Sequence, residues 1–173
     1  MTDAIQVLRD AFDGSHNWYQ GTIADVTEEQ ANTLPPGTAH PIGALALHIL
    51  NSEDAMINGA VLGQQPIWFR DGWGEKLGVP ALLMQDNETS RGVRVSPAAL
   101  QPYAQAVYAN TAEFLDGLSP ADLDDRKVDM SEAGLGVMPL GKFLTQALLG
   151  NNYAHTGEIS ALKGVLGAKG YPF

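Results

Sequence analysis

Hydrophobic residues recur along this chain at steps of three and four in four long segments, and that spacing predicts four amphipathic helices. In the first, over residues 3–24, Ile5, Leu8, Phe12, His16, Tyr19 and Ile23 share one face, with Thr2 available as a cap. Thr27-Glu28-Glu29-Gln30 then reads as a capping box that opens one short turn, and Leu34-Pro35-Pro36-Gly37 breaks the chain after it. Pro41 opens the second segment, 41–62. Its first half is apolar nearly all round before Asn51, Glu53 and Asp54 appear, so it is expected to be deeply buried.

Gly63 to Val95 forms a connection of about thirty residues holding Ile67-Trp68-Phe69-Arg70-Asp71-Gly72-Trp73, a length that is more often functional than idle. Its aromatic residues read first as loop packing, and residues 66–75 are also expected to cover one end of the cleft that contains His48. Ser96-Pro97 and Ser119-Pro120 are the same opener used twice, a cap followed by a first-turn proline. The first starts a helix over 97–117 with Leu100, Tyr103, Val107, Tyr108, Thr111, Phe114 and Leu115 on one side; the second starts only a short helix. The fourth segment, 139–166, opens at Pro139 and ends before Gly167-Ala168-Lys169-Gly170. No strand pattern of similar quality accompanies these four, so the expected class is all-α, a four-helix bundle in a single domain over 1–173.

Composition narrows the chemistry. The chain has no cysteine, which excludes disulfides, a cysteine nucleophile and thiolate metal sites, and leaves His, Asp, Glu and Asn as candidate ligands. Ten basic against twenty acidic side chains give a net charge of −10, which opposes binding to nucleic acid and to anionic membrane surfaces. No window approaches the length of a membrane span, and the N-terminus lacks a basic stretch followed by an apolar run; a cytoplasmic protein is expected.

At about 100° per residue, the fourth helix puts Leu140, Leu144, Ala147, Leu148, Leu162, Val165 and Leu166 on one face, with Lys142, Gln146, Thr156, Ser160 and Lys163 opposite. Asn151, His155 and Glu158 lie at the same angle as the leucines, so three polar groups are expected to point into the core. Burying them together is costly unless they satisfy one another, bind water or hold a metal. His48 lies within the buried half of the second helix and His16 on the core face of the first, where packing could bring them near His155. His40, just before Pro41, reads most simply as a residue that starts the second helix.

The segments Ile42-Gly43-Ala44-Leu45-Ala46-Leu47-His48-Ile49-Leu50 and His155-Thr156-Gly157-Glu158-Ile159-Ser160-Ala161-Leu162-Lys163-Gly164 resemble those of the DinB-like superfamily of bacterial metal-binding four-helix bundles, and the resemblance spans essentially the whole chain. It implies a divalent metal, zinc or nickel, held by His48 and by two side chains one turn apart, Asn151 and His155. The position of Asn151 usually carries His or an acid in that family. It also implies a homodimer, toward which Leu149 and Tyr153, expected on the exposed back of the fourth helix, point as well.

The family includes mycothiol-dependent maleylpyruvate isomerase and bacillithiol S-transferases, which implies a metal-dependent transferase or isomerase acting on a small-molecule substrate. A low-molecular-weight thiol would be the co-substrate, and Glu158 would stand behind the ligands or accept a proton. Two other readings stay open: a bundle without catalytic metal that holds a small apolar ligand, and a helical dimer that binds a partner.

Overall fold

The computed structural model describes residues 3–79, 82 and 88–173 of the chain. Four long helical segments dominate it. The first is α1 (Ala4–Ile23), whose N-cap is Asp3, with its side chain accepting from the Gln6 N–H; Thr2 lies outside the described residues. A short α2 (Glu28–Asn32) follows, opened by the reciprocal capping box between Thr27 and Gln30 that the sequence predicts. The second long segment is α3 (Ile42–Asp54), which continues without a break into a π-helical stretch, Ala55–Val61. The third is α7 (Pro97–Asp116), and the fourth runs through α9 (Leu140–Lys142), a second π-helical stretch (Phe143–Leu149) and α10 (Gly150–Val165). All four fall within two residues of the predicted bounds.

The contacts between these helices fix their directions. Tyr19 Oη donates to Ala46 O while His16 meets Glu53, so α1 and α3 run antiparallel. Glu53 meets Asn152 and His48 meets His155, so α3 and α10 are antiparallel too. Arg9 pairs with Asp116 and His16 stacks on Tyr108, which makes α1 and α7 antiparallel, leaving α3 and α7 parallel. A chain that joins two parallel neighbours must travel back along their full length before the second can start. That requirement accounts for the long connection between the π-helical end of α3 and α7, without any appeal to a lid.

Within this crossover lie α4 (Ile67–Arg70), α5 (Trp73–Leu77) and α6 (Glu88–Gly92). Trp68 is buried, and both Trp68 and Trp73 pack against the Tyr103 ring of α7. Asp54 fastens the start of α4: its two carboxylate oxygens accept from the Ile67 and Trp68 N–H groups at 2.8 Å each, as well as from Asn58 Nδ2 and Tyr103 Oη. The orphan donors of a helix start are thus satisfied by a carboxylate from another helix. Residues 66–75 anchor the crossover to the core.

Between α7 and α9 the chain forms α8 (Asp122–Asp125) and an antiparallel pair, β1 (Lys127–Met130) and β2 (Gly136–Pro139), in which Val128 faces Met138. Both side chains are buried and close one end of the core. Four residues per strand are too few for an alternating pattern to stand out in the sequence. No helix among the described residues is long and apolar enough to cross a membrane.

The π-helical stretch before α10 changes which side chains are buried. A π turn takes up one residue more than an α turn, so everything beyond it is rotated by about 100° relative to a continuous α-helix. The inward face of α10 is accordingly Asn152, Thr156, Ile159, Ser160 and Lys163. Four of these sit one residue after the positions expected to point inward, 151, 155, 158 and 162. Thr156, Ser160 and Lys163, expected to face solvent, are in the core, and Val165 is exposed. Leu149 is also buried, and Tyr153 packs edge-on against Trp18.

Candidate functional site

Asn151, His155 and Glu158 therefore do not point into the core. They flank it, and the shift leaves His155 and Glu158 beside a cavity of about 360 Å³ between α3 and α10. His48 lines the same cavity, on the half-buried side of the otherwise buried α3. The His48 and His155 rings meet edge-on, with centroids 4.7 Å apart and planes at 87°. The structure thus unites the two histidines that the sequence singles out on separate helices.

Glu158 stands behind His155, not in front of it. His155 Nδ1 lies 2.8 Å from Glu158 Oε2, one turn along the same helix. A carboxylate at that distance selects the tautomer with the proton on Nδ1 and leaves the lone pair on Nε2. This is the arrangement by which a carboxylate orients a histidine ligand. His48 Nε2 is 3.3 Å from Ser52 Oγ. Asn151 stands one turn before His155 on α10 but does not line the cavity.

Two imidazoles that meet at one cavity wall, with centroids 4.7 Å apart, are the donor chemistry that a divalent ion takes, and His48 and His155 are the residues that would hold it. The donor set on this wall is the two imidazoles, and the Asn151 amide does not join them at the cavity. Among the described residues no group of three His, Cys, Asp or Glu side chains is arranged to hold a metal. Such a set leaves coordination positions open for a small molecule.

His16 goes elsewhere. Its Nε2 lies 2.8 Å from Glu53 Oε1 and its ring stacks on Tyr108 at 3.7 Å, beside a separate cavity of about 90 Å³ between α1 and α7. It does not join His48 and His155. Glu53, 1% exposed, also accepts from Thr111 Oγ1 at 2.6 Å and from Asn152 Nδ2 at 2.6 Å. One carboxylate on α3 thus ties α1, α7 and α10 together. Burial raises the phenol pKa of Tyr103 and of Tyr108 well above its ordinary value, and the Asp54 carboxylate beside Tyr103 adds to its rise, so Tyr103 stays a hydrogen-bond donor.

Sequence reasoning missed three features. Glu53 and Asp54 look like the polar end of an apolar helix, and nothing in their spacing distinguishes a buried acid from a solvated one. Asn152 is hidden by the register shift. His40 lines the cavity with His48 and His155, and because it sits in the irregular chain before α3 no helical spacing signalled it.

A four-helix bundle with one long crossover and a histidine-lined cavity between two antiparallel helices defines a class of protein. Within that class the chain belongs to the DinB superfamily, whose family model matches residues 11–159. A crystal structure of a conserved protein from Enterococcus faecalis superposes with a TM-score of 0.79, at 23% identity, over 96% of this chain and 99% of that one. At that identity the likeness establishes the fold alone. No curated protein matches the chain significantly.

Proposed function

We propose that the protein is a divalent-metal-dependent enzyme that activates a small thiol for transfer or isomerisation, with His48 and His155 as the metal's nitrogen ligands and Asn151 as a weak third. The observation that carries this reading is the meeting of the two imidazoles at one end of a cavity, with Glu158 fixing the tautomer of His155. A bound divalent ion supplies a Lewis acid that lowers a thiol's pKa, so that thiolate forms at neutral pH. The thiol must come from outside, because the chain has no cysteine.

The chain's own residues divide the remaining work. Glu158 holds the Nδ1 proton of His155 and, being exposed, exchanges protons with solvent. Ala44, Leu45, Ala161 and Leu162 wall the cavity and exclude water from the body of whatever enters it. A homodimer belongs to the same reading, and sedimentation at micromolar concentration tests it.

The neutral amide at position 151 favours a second reading, in which the cavity holds a small apolar ligand with no metal. Metal analysis and titration of the purified protein with Zn²⁺ and Ni²⁺ separate the two. The first reading expects about one ion per chain, lost in His155→Ala and bound more tightly in Asn151→His, where imidazole replaces a weaker donor. An Asn151→His variant that binds no better than the parent overturns it.

A further inference from the structure

Glu158 is the one Asp, Glu, Lys or Arg among the described residues that lines the cavity between α3 and α10. Its Oε2 meets His155 Nδ1 at 2.8 Å, and its Oε1 makes no hydrogen bond to a described residue. A carboxylate offers about four acceptor sites, so the single bond to His155 leaves most of them open. The side chain is 56% exposed, which keeps those sites within reach of a ligand in the cavity.

The basic residues next to the cavity lining in sequence are committed elsewhere. Arg91, beside Ser90, donates to Ala39 O, and Lys163, beside Leu162, is buried against Thr22 and Asp25. Residues 1–2, 80–81 and 83–87, which lie outside the description, hold Asp86 and no Lys or Arg. The charge at the cavity wall is therefore negative, in a chain whose net charge is −10. A cleft with charge of one sign between low-dielectric walls concentrates ligands of the other sign. A carboxylate placed beside Glu158 would instead lose water and meet a like charge.

Along α10 Glu158 stands one turn past His155 and one turn before Leu162. About 5–6 Å of helix thus separate the charge from the apolar wall that Ala161 and Leu162 form with Ala44 and Leu45. A molecule that uses both features has a cationic head and a short apolar tail.

We propose that the cavity selects a small molecule carrying an ammonium or similar cationic group beside an apolar tail and rejects the matching carboxylate, and that Glu158 is the residue that determines this specificity. The inference rests on the cavity lining alone and is tested without metal, so it stands or falls apart from the proposed function.

Calorimetric titration of the full chain, freed of divalent ions with a chelator and held at about pH 8, where free imidazole is neutral, compares hexylamine, 1-hexanol and hexanoate, three probes with the same tail. The parent is expected to bind hexylamine about threefold more tightly than hexanol, the worth of a partly exposed ion pair, and about tenfold more tightly than hexanoate, where attraction turns to repulsion. Added salt is expected to shrink both differences and to leave hexanol binding in place. Glu158→Gln, close to the parent in shape, is expected to bring hexylamine to the level of hexanol with hexanol itself unchanged, and Glu158→Lys to favour hexanoate.

Hexanoate binding as tightly as hexylamine in the parent, an unchanged order of probes in Glu158→Gln, or no binding of any of the three overturns the inference. If circular dichroism shows a variant to be unfolded, the salt series on the parent decides, and a preference for hexylamine that salt does not reduce counts against it. Metal content and the zinc titration bear on the proposed function alone.

Discussion

Glu53 receives one hydrogen bond from each of the three other long helices: His16 of α1 at 2.8 Å, Thr111 of α7 at 2.6 Å and Asn152 of α10 at 2.6 Å. Glu53→Ala removes every acceptor at this point and leaves three donors without their partner. A stranded buried donor costs about 1–3 kcal/mol, and the losses within one network are not additive, so the expected destabilisation is about 3–5 kcal/mol. Against a typical total stability of about 5–15 kcal/mol, that is a large fraction.

Glu53→Gln should behave differently. One amide oxygen can still serve His16 and Thr111, and the new NH2 group meets Asn152, whose Oδ1 has no hydrogen-bond partner among the described residues. Turning the Asn152 amide over restores a donor–acceptor pair, so the cost should stay below about 1.5 kcal/mol. Urea unfolding followed by circular dichroism measures both variants against the parent. The reasoning fails if Glu53→Ala lies within about 1 kcal/mol of the parent, or if Glu53→Gln is as damaging as Glu53→Ala.

Gly43→Ala, in the first turn of α3, is expected to cost about 1–3 kcal/mol in the same assay, because the added Cβ would lie 2.6 Å from Val95 O and 3.2 Å from Ala31 O. The Lys163 ammonium, 2% exposed, donates to Thr22 O and to Asp25, and that bond holds the Asp25 carboxyl below its ordinary value near 3.8. A lowered folded-state pKa stabilises above the ordinary value and is lost as pH falls through the lowered one. Asp25→Asn is therefore expected to lower the urea midpoint at pH 7 and to lower it progressively less as pH falls below the ordinary value near 3.8, by a small margin because Asp25 is 62% exposed. Zinc affinity of the parent is expected to fall as pH is lowered, because imidazole must be deprotonated to coordinate, and a competition titration with a chromogenic chelator at several pH values checks it.

The helices were legible because each carries its own evidence. Ile5, Leu8, Phe12, Tyr19 and Ile23 mark the buried stripe of α1, Thr27 and Gln30 box the start of α2, and Pro97 opens α7. What lay out of reach was non-local. The length of the crossover follows from α3 and α7 being parallel, a property of the assembled bundle and not of any segment. Trp68 and Trp73 looked like a lid because exposed aromatics in loops often are one, whereas here Tyr103 and Asp54 draw them into the core.

The candidate residues lie in a different setting from the one their spacing suggested, and one cause explains the difference. Counting 100° per residue from Leu140 makes Asn151, His155 and Glu158 core residues, and a polar trio in the core would have to satisfy itself or bind an ion. The π-helical residues 143–149 insert one residue, and the consequences follow in order. Asn152 takes the inward position and completes the Glu53 network, while Lys163 takes another and reaches Thr22. His155 is turned from the core to the cavity wall, where it meets His48 and where a ligand has room. Had the same residues all continued as a regular α-helix, His155 would occupy a core position and the cavity would lose one wall's chemistry. The irregular turn thus places an imidazole beside open space while the next residue in sequence supports the fold. Deleting one residue from 143–149 removes the extra residue itself, so the stretch should run as a regular α-helix that leaves Asn152 inward and His155 at the cavity, and a deletion that destabilises the fold as much as Glu53→Ala would refute this account.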